Sequence, residues 1–355
     1  MNQSKQKRQW NLVSLCCILY LLLTSCWDRQ RHEASGPELP NYSVSGTVFH
    51  SVTSEPLPDA TVTIDGQSIL TDSLGRYSIS SITGGEGHAI SISKVGFNPY
   101  SSTILMGYAD LDSYDAILGK LLYFSGLYQG PGPEPNGIIW TTDLVWSSCG
   151  SRKRIYAHDA AQGLEDVKYV DSPGSFPSKD IYTTPYGMTV TEEAGAQYLW
   201  ISVAFADETS RLYKMRAEAD TTLLTVAQYE TPESVYGQDV HVILNDLTCD
   251  GTSVWSCSAR ERRVFKHGDD MSVIEHYDFP DERPVGIAWD GKKFWMSTNS
   301  SERLYMLDAG NLNPLGYYIL QEAPVVGLLF REGRLWACKH GSQSWPSYFY
   351  TYEVE

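Results

Sequence analysis

The chain has 355 residues, 42% of them apolar and 12% aromatic, which is enough to bury a small core and a larger one. With 43 acidic against 27 basic residues it carries a formal charge of −16. That balance argues against a nucleic-acid partner and against adsorption to anionic lipid, and leaves a neutral or basic partner, or solubility alone.

At the amino terminus Lys5, Lys7 and Arg8 form a basic region ahead of a mostly apolar stretch, Leu12 to Leu23. The stretch is too short for a comfortable membrane span and reads as a secretory signal. It ends in Leu23-Thr24-Ser25-Cys26, which resembles the lipobox of bacterial lipoproteins. The resemblance implies that residues 1–25 are a signal peptide, that Cys26 is the lipidation site, and that the protein is lipid-anchored in a bacterial cell envelope, periplasmic or surface-exposed. Several acyl chains, each contributing ~0.8 kcal/mol per buried methylene, hold a soluble body at a bilayer. Residues 26–41, polar with Gly and Pro, read as a tether.

From 42 to 118 the chain alternates β-branched and polar residues between Gly, Pro and Asp turns, as in Val44-Ser45-Gly46-Thr47-Val48 and Ile90-Ser91-Ile92-Ser93. This predicts short antiparallel strands in a small β-sandwich. Leu57-Pro58-Asp59-Ala60, followed by Thr71-Asp72-Ser73-Leu74-Gly75-Arg76-Tyr77, resembles the carboxypeptidase regulatory-like domain, a prealbumin-like sandwich. That family implies a spacer or docking module outside the cytoplasm, with no catalytic residues of its own. Asp110, Asp112 and Asp115 have the look of a calcium loop but lack the Gly and terminal Glu of an EF-hand, so they read as acidic linker.

From 119 to 355 one phrase recurs five times: an apolar strand, a polar turn, then an apolar-Trp pair followed by small residues. Trp146, Trp200, Trp255, Trp295 and Trp336 hold equivalent positions, at intervals of 54, 55, 40 and 41 residues. Asp250-Gly251 and Asp290-Gly291 between apolar runs predict hairpins. A third strand follows, marked by Arg154, Arg211, Arg263 and Arg303 with an aromatic two residues later. A polar fourth strand follows at Val167 to Val170, Thr225 to Tyr229, Ile274 to Phe279 and Leu315 to Leu320. Four strands repeated radially make a β-propeller blade, so the fold class is all-β: a prealbumin-like sandwich followed by a five-bladed propeller. The last unit runs out of chain before its fourth strand, and Lys120 to Ser125 is expected to supply it and close the ring. The five Trp are expected to pack between blades.

These repeats resemble the Trp-bearing blades of the NHL, glutaminyl cyclotransferase-like and gluconolactonase-like propellers. The resemblance is one of blade grammar. The Glu-Gly-Leu phrase expected of a cyclotransferase is absent, and the metal-binding Glu, Asn and Asp of a gluconolactonase find no counterparts. Cys257 and Cys338 fall two residues after a blade Trp, where other copies have Ser148, Ser202 and Ser297, so they read as small buried residues. No zinc-ligand spacing is present, and no cofactor or metal is expected. Cys249 and Cys257 share a hairpin, but its turn would pair Cys249 with Val254.

A propeller carries its sites where strand entrances and the loops between strands two and three ring the central channel. The candidate binding residues on that rim are Asn136, Tyr186, Asp246, Arg260, Arg283, Asn299, His340 and Trp345, with Arg152, Asn245, Asp207, Glu208 and Glu302 beside them. Such a polar rim with a few aromatics suits a sugar or a peptide. Asp239 and His241 share one strand face as candidate acid and base. The resulting expectation is a lipid-anchored binding protein outside the cytoplasm, recognising a glycan, a peptide or an envelope protein. The alternative is a propeller enzyme, a lactonase, cyclotransferase or lyase, with its site at the channel mouth; a third is a structural subunit docking through blade edges.

Overall fold

The structure, a computed structural model, describes residues 40–130, 134–142, 144–159, 164–172, 183–206, 209–218, 221–234, 241–279, 282–321, 325–339 and 347–354. Every named element among them is a β-strand. The expected signal, Cys26 and nearly all of the tether lie outside these residues.

The first seven strands are β1 (Asn41–His50), β2 (Thr61–Ile64), β3 (Gln67–Leu70), β4 (Arg76–Thr83), β5 (Gly87–Ser93), β6 (Tyr100–Leu105) and β7 (Ala116–Leu118). They form two sheets, β4-β1-β7 and β3-β2-β5-β6. Alternation decides which side chains meet: in β5, His88, Ile90 and Ile92 are buried while their neighbours face out. Val44, Val48, Val62, Ile64, Tyr77, Ile79, Ile90 and Ile92 fill the space between the sheets. The three aspartates after β6 are strand partners rather than free linker. Asp110 Oδ1 accepts from Ser43 N at 2.7 Å, Asp112 Oδ1 from Ser45 Oγ at 2.9 Å, and Asp115 Oδ1 from Thr47 N at 2.8 Å.

Two further strands, β8 (Lys120–Leu122) and β9 (Phe124–Gln129), lead into five propeller sheets. Blade I holds β10 (Pro135–Trp140), β11 (Leu144–Cys149), β12 (Arg154–Asp159) and β13 (Glu165–Asp171). Blade II holds β14 (Thr183–Glu193), β15 (Ala196–Phe205), β16 (Ser210–Ala217) and β17 (Leu223–Glu230). Blade III holds β18 (Asp246–Cys249), β19 (Val254–Ser258), β20 (Arg263–His267) and β21 (Val273–Asp278). Blade IV holds β22 (Pro284–Trp289), β23 (Lys293–Thr298), β24 (Arg303–Asp308) and β25 (Pro314–Leu320). Blade V holds β26 (Val326–Arg331), β27 (Arg334–Lys339) and β28 (Tyr348–Glu353), completed by β9. The innermost strands contact one another in turn, and β10 meets β26, so the ring is closed.

Closure differs from the expectation by about one short strand. Phe124–Gln129, not Lys120 to Ser125, supplies the fourth strand of blade V, antiparallel to β28 with Leu127 opposite Tyr350. Lys120–Leu122 instead pairs in parallel with β25, as a fifth strand of blade IV. The chain leaves the sandwich at Leu118 and must cross the outer edge of blade IV to reach blade V, so its first apolar residues are used there. One extended run, 116–129, therefore belongs to three sheets in succession, with Gly119 at the first crossing. A Cβ there would stand 2.4 Å from Ile319 Cγ1.

The junction is tied on both sides of this run. Tyr317 N donates to Ser51 O at 3.0 Å, Ser51 Oγ donates to Tyr317 O at 2.7 Å, and Lys120 N donates to Ser51 Oγ at 2.9 Å. Leu121 N reaches Gly96 O at 3.0 Å, and Val52 packs against the core shared by blades IV and V.

The repeated residues carry repeated jobs. The five Trp are all buried, and four indole N–H groups are satisfied by a side chain of the hairpin they belong to. Trp255 and Trp295 donate to Asp250 and Asp290 at 2.7 and 2.8 Å, Trp146 and Trp200 to Thr141 and Thr191 at 3.3 and 2.9 Å. The Asp also caps its own turn, and the following Gly takes φ +93 in both copies, a backbone conformation open mainly to glycine. Third-strand arginines pair with carboxylates: Arg154 with Asp171, Arg211 with Glu230, Arg263 with Asp278, and Arg303 with Glu282.

Candidate functional site

At the propeller axis five residues occupy one equivalent position, two before the residue that faces the blade Trp: Gly137, Gly187, Asp246, Gly286 and Gly327. Inner strands approach so closely here that side chains have no room. A Cβ on Gly187 would lie 2.1 Å from Asp246 Cα, and one on Gly327 would lie 2.4 Å from Asn136 O. Asp246 is the exception, and its carboxylate joins the blades. Oδ2 accepts from Ile287 N at 2.9 Å and Leu328 N at 2.7 Å, the amides that follow the axial glycines of blades IV and V. Burial drives its pKa well above the usual carboxylate range; the amides of Leu328, Ile287, Leu247 and Met188 pull the other way without cancelling it.

Asp246 is therefore a structural plug, completely buried, and not the exposed rim residue expected from its place at a strand entrance. Asn136 needs the same correction. It is 5% exposed, and its Nδ2 donates to Pro185 O at 2.8 Å, locking blade I to blade II. Asn245 Oδ1 accepts from Ala259 N at 2.7 Å. Tyr186 lies half-buried on the same seam; its carbonyl accepts from Ser148 Oγ, and burial together with the Glu134 charge raises its pKa. The entrances at Asn136, Tyr186, Asn245 and Asp246 are taken up by contacts between and within blades.

The other candidates fare differently. His340 and Trp345, with Asp207, Glu208 and Asp239, lie outside the described residues. His241 is bound through Nδ1 to Thr231 O at 2.6 Å. Arg260, Arg283 and Asn299 come together in one depression of about 530 Å3 between blades III and IV, lined also by Ala259 and Arg262. Arg260 stands in the β19–β20 loop, Arg283 at the entrance to β22 and Asn299 in the β23–β24 loop. All three are exposed.

Two glutamates beside these arginines hold the loops from beneath. Glu261 is 5% exposed and accepts from Ser234 Oγ. Glu282 accepts from Ser300 Oγ and Tyr305 Oη, both at 2.6 Å, and from Ser301 Oγ at 3.0 Å. Burial works to raise its pKa, but these hydroxyls outweigh it and keep the carboxylate ionised; the Tyr305 phenol is pushed up to about 12, mainly by burial. The backbones are joined as well, since Arg283 N donates to Ser300 Oγ and Asn299 N to Arg283 O, both at 3.0 Å. The depression thus has a fixed floor and a cationic, donor-rich lining.

A second groove of about 590 Å3 lies between the same blades, lined by Tyr277, Phe279, Glu282, Arg303, Tyr305 and Pro314 among others. Its Arg303 faces Glu282 at 3.8 Å, so that charge is already matched. Among the described residues no group of three or more His, Cys, Asp or Glu is placed to hold a metal ion.

Buried Ser–His pairs were not read from the sequence. His158 Nε2 meets Ser147 Oγ at 2.8 Å and His267 Nε2 meets Ser256 Oγ at 2.7 Å, with the Nδ1 atoms 3.2 Å from Leu164 O and Met271 O. Recurrence at one blade position was the available signal. Both imidazoles are buried, His158 within blade I and His267 within blade III at the wall of a groove of about 540 Å3 that also takes in Trp200 and Lys214 of blade II, and each is held at both ring nitrogens, as a packing device is.

No protein-family model matches the sequence, and no curated protein does. Solved structures similar to this chain include a β-propeller domain from Myceliophteria thermophila. The glutaminyl cyclase of Myxococcus xanthus has 11% identity and a TM-score of 0.47, over 66% of this chain and 100% of that one. The PQQ-bound aldose sugar dehydrogenase of Streptomyces coelicolor has 13% identity and a TM-score of 0.45, over 65% and 97%. A protein of unknown function from Bacteroides caccae has 10% identity and a TM-score of 0.40, over 72% and 80%. At such identities the likeness concerns fold alone.

Proposed function

We propose that this is a lipid-anchored binding protein of the bacterial cell envelope, periplasmic or surface-exposed, whose propeller face recognises its ligand in the depression between blades III and IV. The observation that carries the reading is the convergence of Arg260, Arg283 and Asn299 in one depression whose flanking loops are held by the hydrogen bonds of Glu261 and Glu282. Rigid display of exposed polar groups serves recognition, because little ordering entropy is lost on binding. Catalysis would need a base and an acid converging on a reacting atom. The lining offers guanidinium groups and an amide, and the nearest carboxylates are engaged below it, so binding is favoured over the lactonase, cyclotransferase or lyase alternative. The ligand is a glycan, a peptide or an envelope protein; Cys26 supplies the membrane attachment.

Arrays of envelope glycans and peptides probed with the full-length protein in detergent, beside the R260A/R283A variant, test the site. Loss of a ligand by the variant at unchanged melting temperature supports it, and equal binding by both proteins refutes it. For the anchor, C26A is expected to leave the membrane fraction; a variant that stays there refutes lipidation at Cys26.

A further inference from the structure

We infer that the ligand of the blade III–IV depression is an acidic saccharide, gripped by Arg260 and Arg283 through a sugar carboxylate or sulfate. The inference rests on the placement of the binding site proposed above.

Charge pairing elsewhere in the molecule is the first support. Arg76, Arg154, Arg211, Arg216, Arg263, Arg303, Arg331 and Arg334 each have a carboxylate oxygen between 2.6 and 3.8 Å away. Among the described residues Arg152, Arg260 and Arg283 have no such contact, in a chain with 43 acidic residues, and Arg260 and Arg283 share a depression. Their sequence neighbours are Glu261 and Glu282, and both carboxylates are turned inward onto hydroxyl groups. The two arginines are left as forks presented to solvent within a common depression, a geometry suited to an oxyanion.

The second support is what the lining lacks. A guanidinium has five donors and no acceptor, Asn299 adds one amide with a donor and an acceptor end, and the remaining lining residues are Arg262 and Ala259. A peptide brings apolar side chains as well as its polar backbone, and Ala259 is the one apolar residue of the lining to receive them. Saccharide hydroxyls both donate and accept, so they can serve the guanidinium groups and both ends of the Asn299 amide, and an acidic saccharide adds the anion. The volume of about 530 Å3 is within the range that takes a ligand of a few sugar rings.

Titration calorimetry on the full-length protein in detergent tests this with four probes: trigalacturonate, its methyl ester, a sulfated disaccharide and an oligoglutamate peptide. Saturable binding of trigalacturonate or of the sulfated disaccharide is expected, with the ester at least about tenfold weaker than the acid and affinity falling as salt is raised. R260A and R283A are each expected to lose about tenfold, R260K less, and Arg334→Ala, on another blade, nothing. Which of the two acids binds identifies carboxylate or sulfate as the anion. Equal binding of ester and acid, or preference for oligoglutamate, with loss in both arginine variants, overturns the acidic saccharide while the binding site stands. No binding by any probe overturns the inference as well, and the array above then decides the site separately.

Discussion

Replacing Asp246 should separate the shape of its carboxyl group from its charge. Removing the side chain in D246A strands the buried amides of Ile287 and Leu328, which it accepts at 2.9 and 2.7 Å. Each unsatisfied buried amide costs about 1–3 kcal/mol, so D246A is expected to lose about 2–6 kcal/mol. D246N keeps an acceptor oxygen for both amides and places its NH2 where the protonated carboxyl carries its hydroxyl. Burial raises the folded pKa of Asp246 above its unfolded value. The folded state therefore holds a proton that the unfolded state releases. The stability this group contributes is complete below about pH 3.9 and is lost as pH rises toward the folded pKa, at up to about 1.4 kcal/mol per pH unit. D246N has no such loss, so at pH 7 it should equal or exceed the wild type, and its advantage should shrink toward pH 4. Denaturant melts followed by Trp fluorescence, at several pH values, read all three proteins. A D246N loss as large as that of D246A, or a difference from wild type that does not change with pH, refutes the argument.

At the position of Ser256 and His267, blade II carries Ile201 and Met215, so the pair is replaceable as a pair. S256A should cost about 1–3 kcal/mol by stranding the imidazole, while S256I/H267M should lose much less than the two single changes together, read as a double-mutant cycle. Burial lowers the His267 pKa, so the unfolded state takes up the extra proton. Stability from this residue is full above about pH 6.5 and falls on acidification below it, and the double variant should flatten that limb of the melting curve. Asn136→Ala should lower stability by about 1–3 kcal/mol, measured by the same melts, and leave ligand affinity unchanged, because its amide serves the blade I–II seam.

The fold was legible because all five blades repeat one pattern and most of them share part of its chemistry. Trp, turn Asp, third-strand Arg and polar outer strand each announce a local requirement, and those requirements hold in the structure. Closure was legible in kind but not in register. Periodicity in Lys120 to Ser125 does not tell which of two neighbouring sheet edges the strand joins. Asp246 was named from its place at a strand entrance, which suggested exposure; only the close approach of five inner strands reveals burial. Arg260, Arg283 and Asn299 could be named as rim residues from loop positions. Their meeting in one depression, and the inward turn of Glu261 and Glu282, depend on loop paths that no spacing encodes.

The run from Ala116 to Gln129 ties the sandwich to the propeller through consecutive strands. A flexible linker lets neighbouring domains melt independently, whereas here β7, β8 and β9 place consecutive residues in three sheets, and Ser51 is bonded to Tyr317 across the junction. The wild type is expected to melt in one transition by scanning calorimetry. Gly119→Val sets branched atoms where even a Cβ would be 2.4 Å from Ile319 Cγ1, and the strand cannot shift without disturbing its register on β25 or β28. Overpacking of this kind costs about 1–3 kcal/mol, and at this place the loss falls on the junction rather than on either core. The variant should therefore separate into two transitions, the sandwich and the propeller each melting alone. Two transitions already present in the wild type, or one unchanged transition in the variant, would show that the shared run does not couple them. If they are coupled, blade IV fixes the attitude of the depression relative to the sandwich, because that blade both receives β8 and forms one wall of the site.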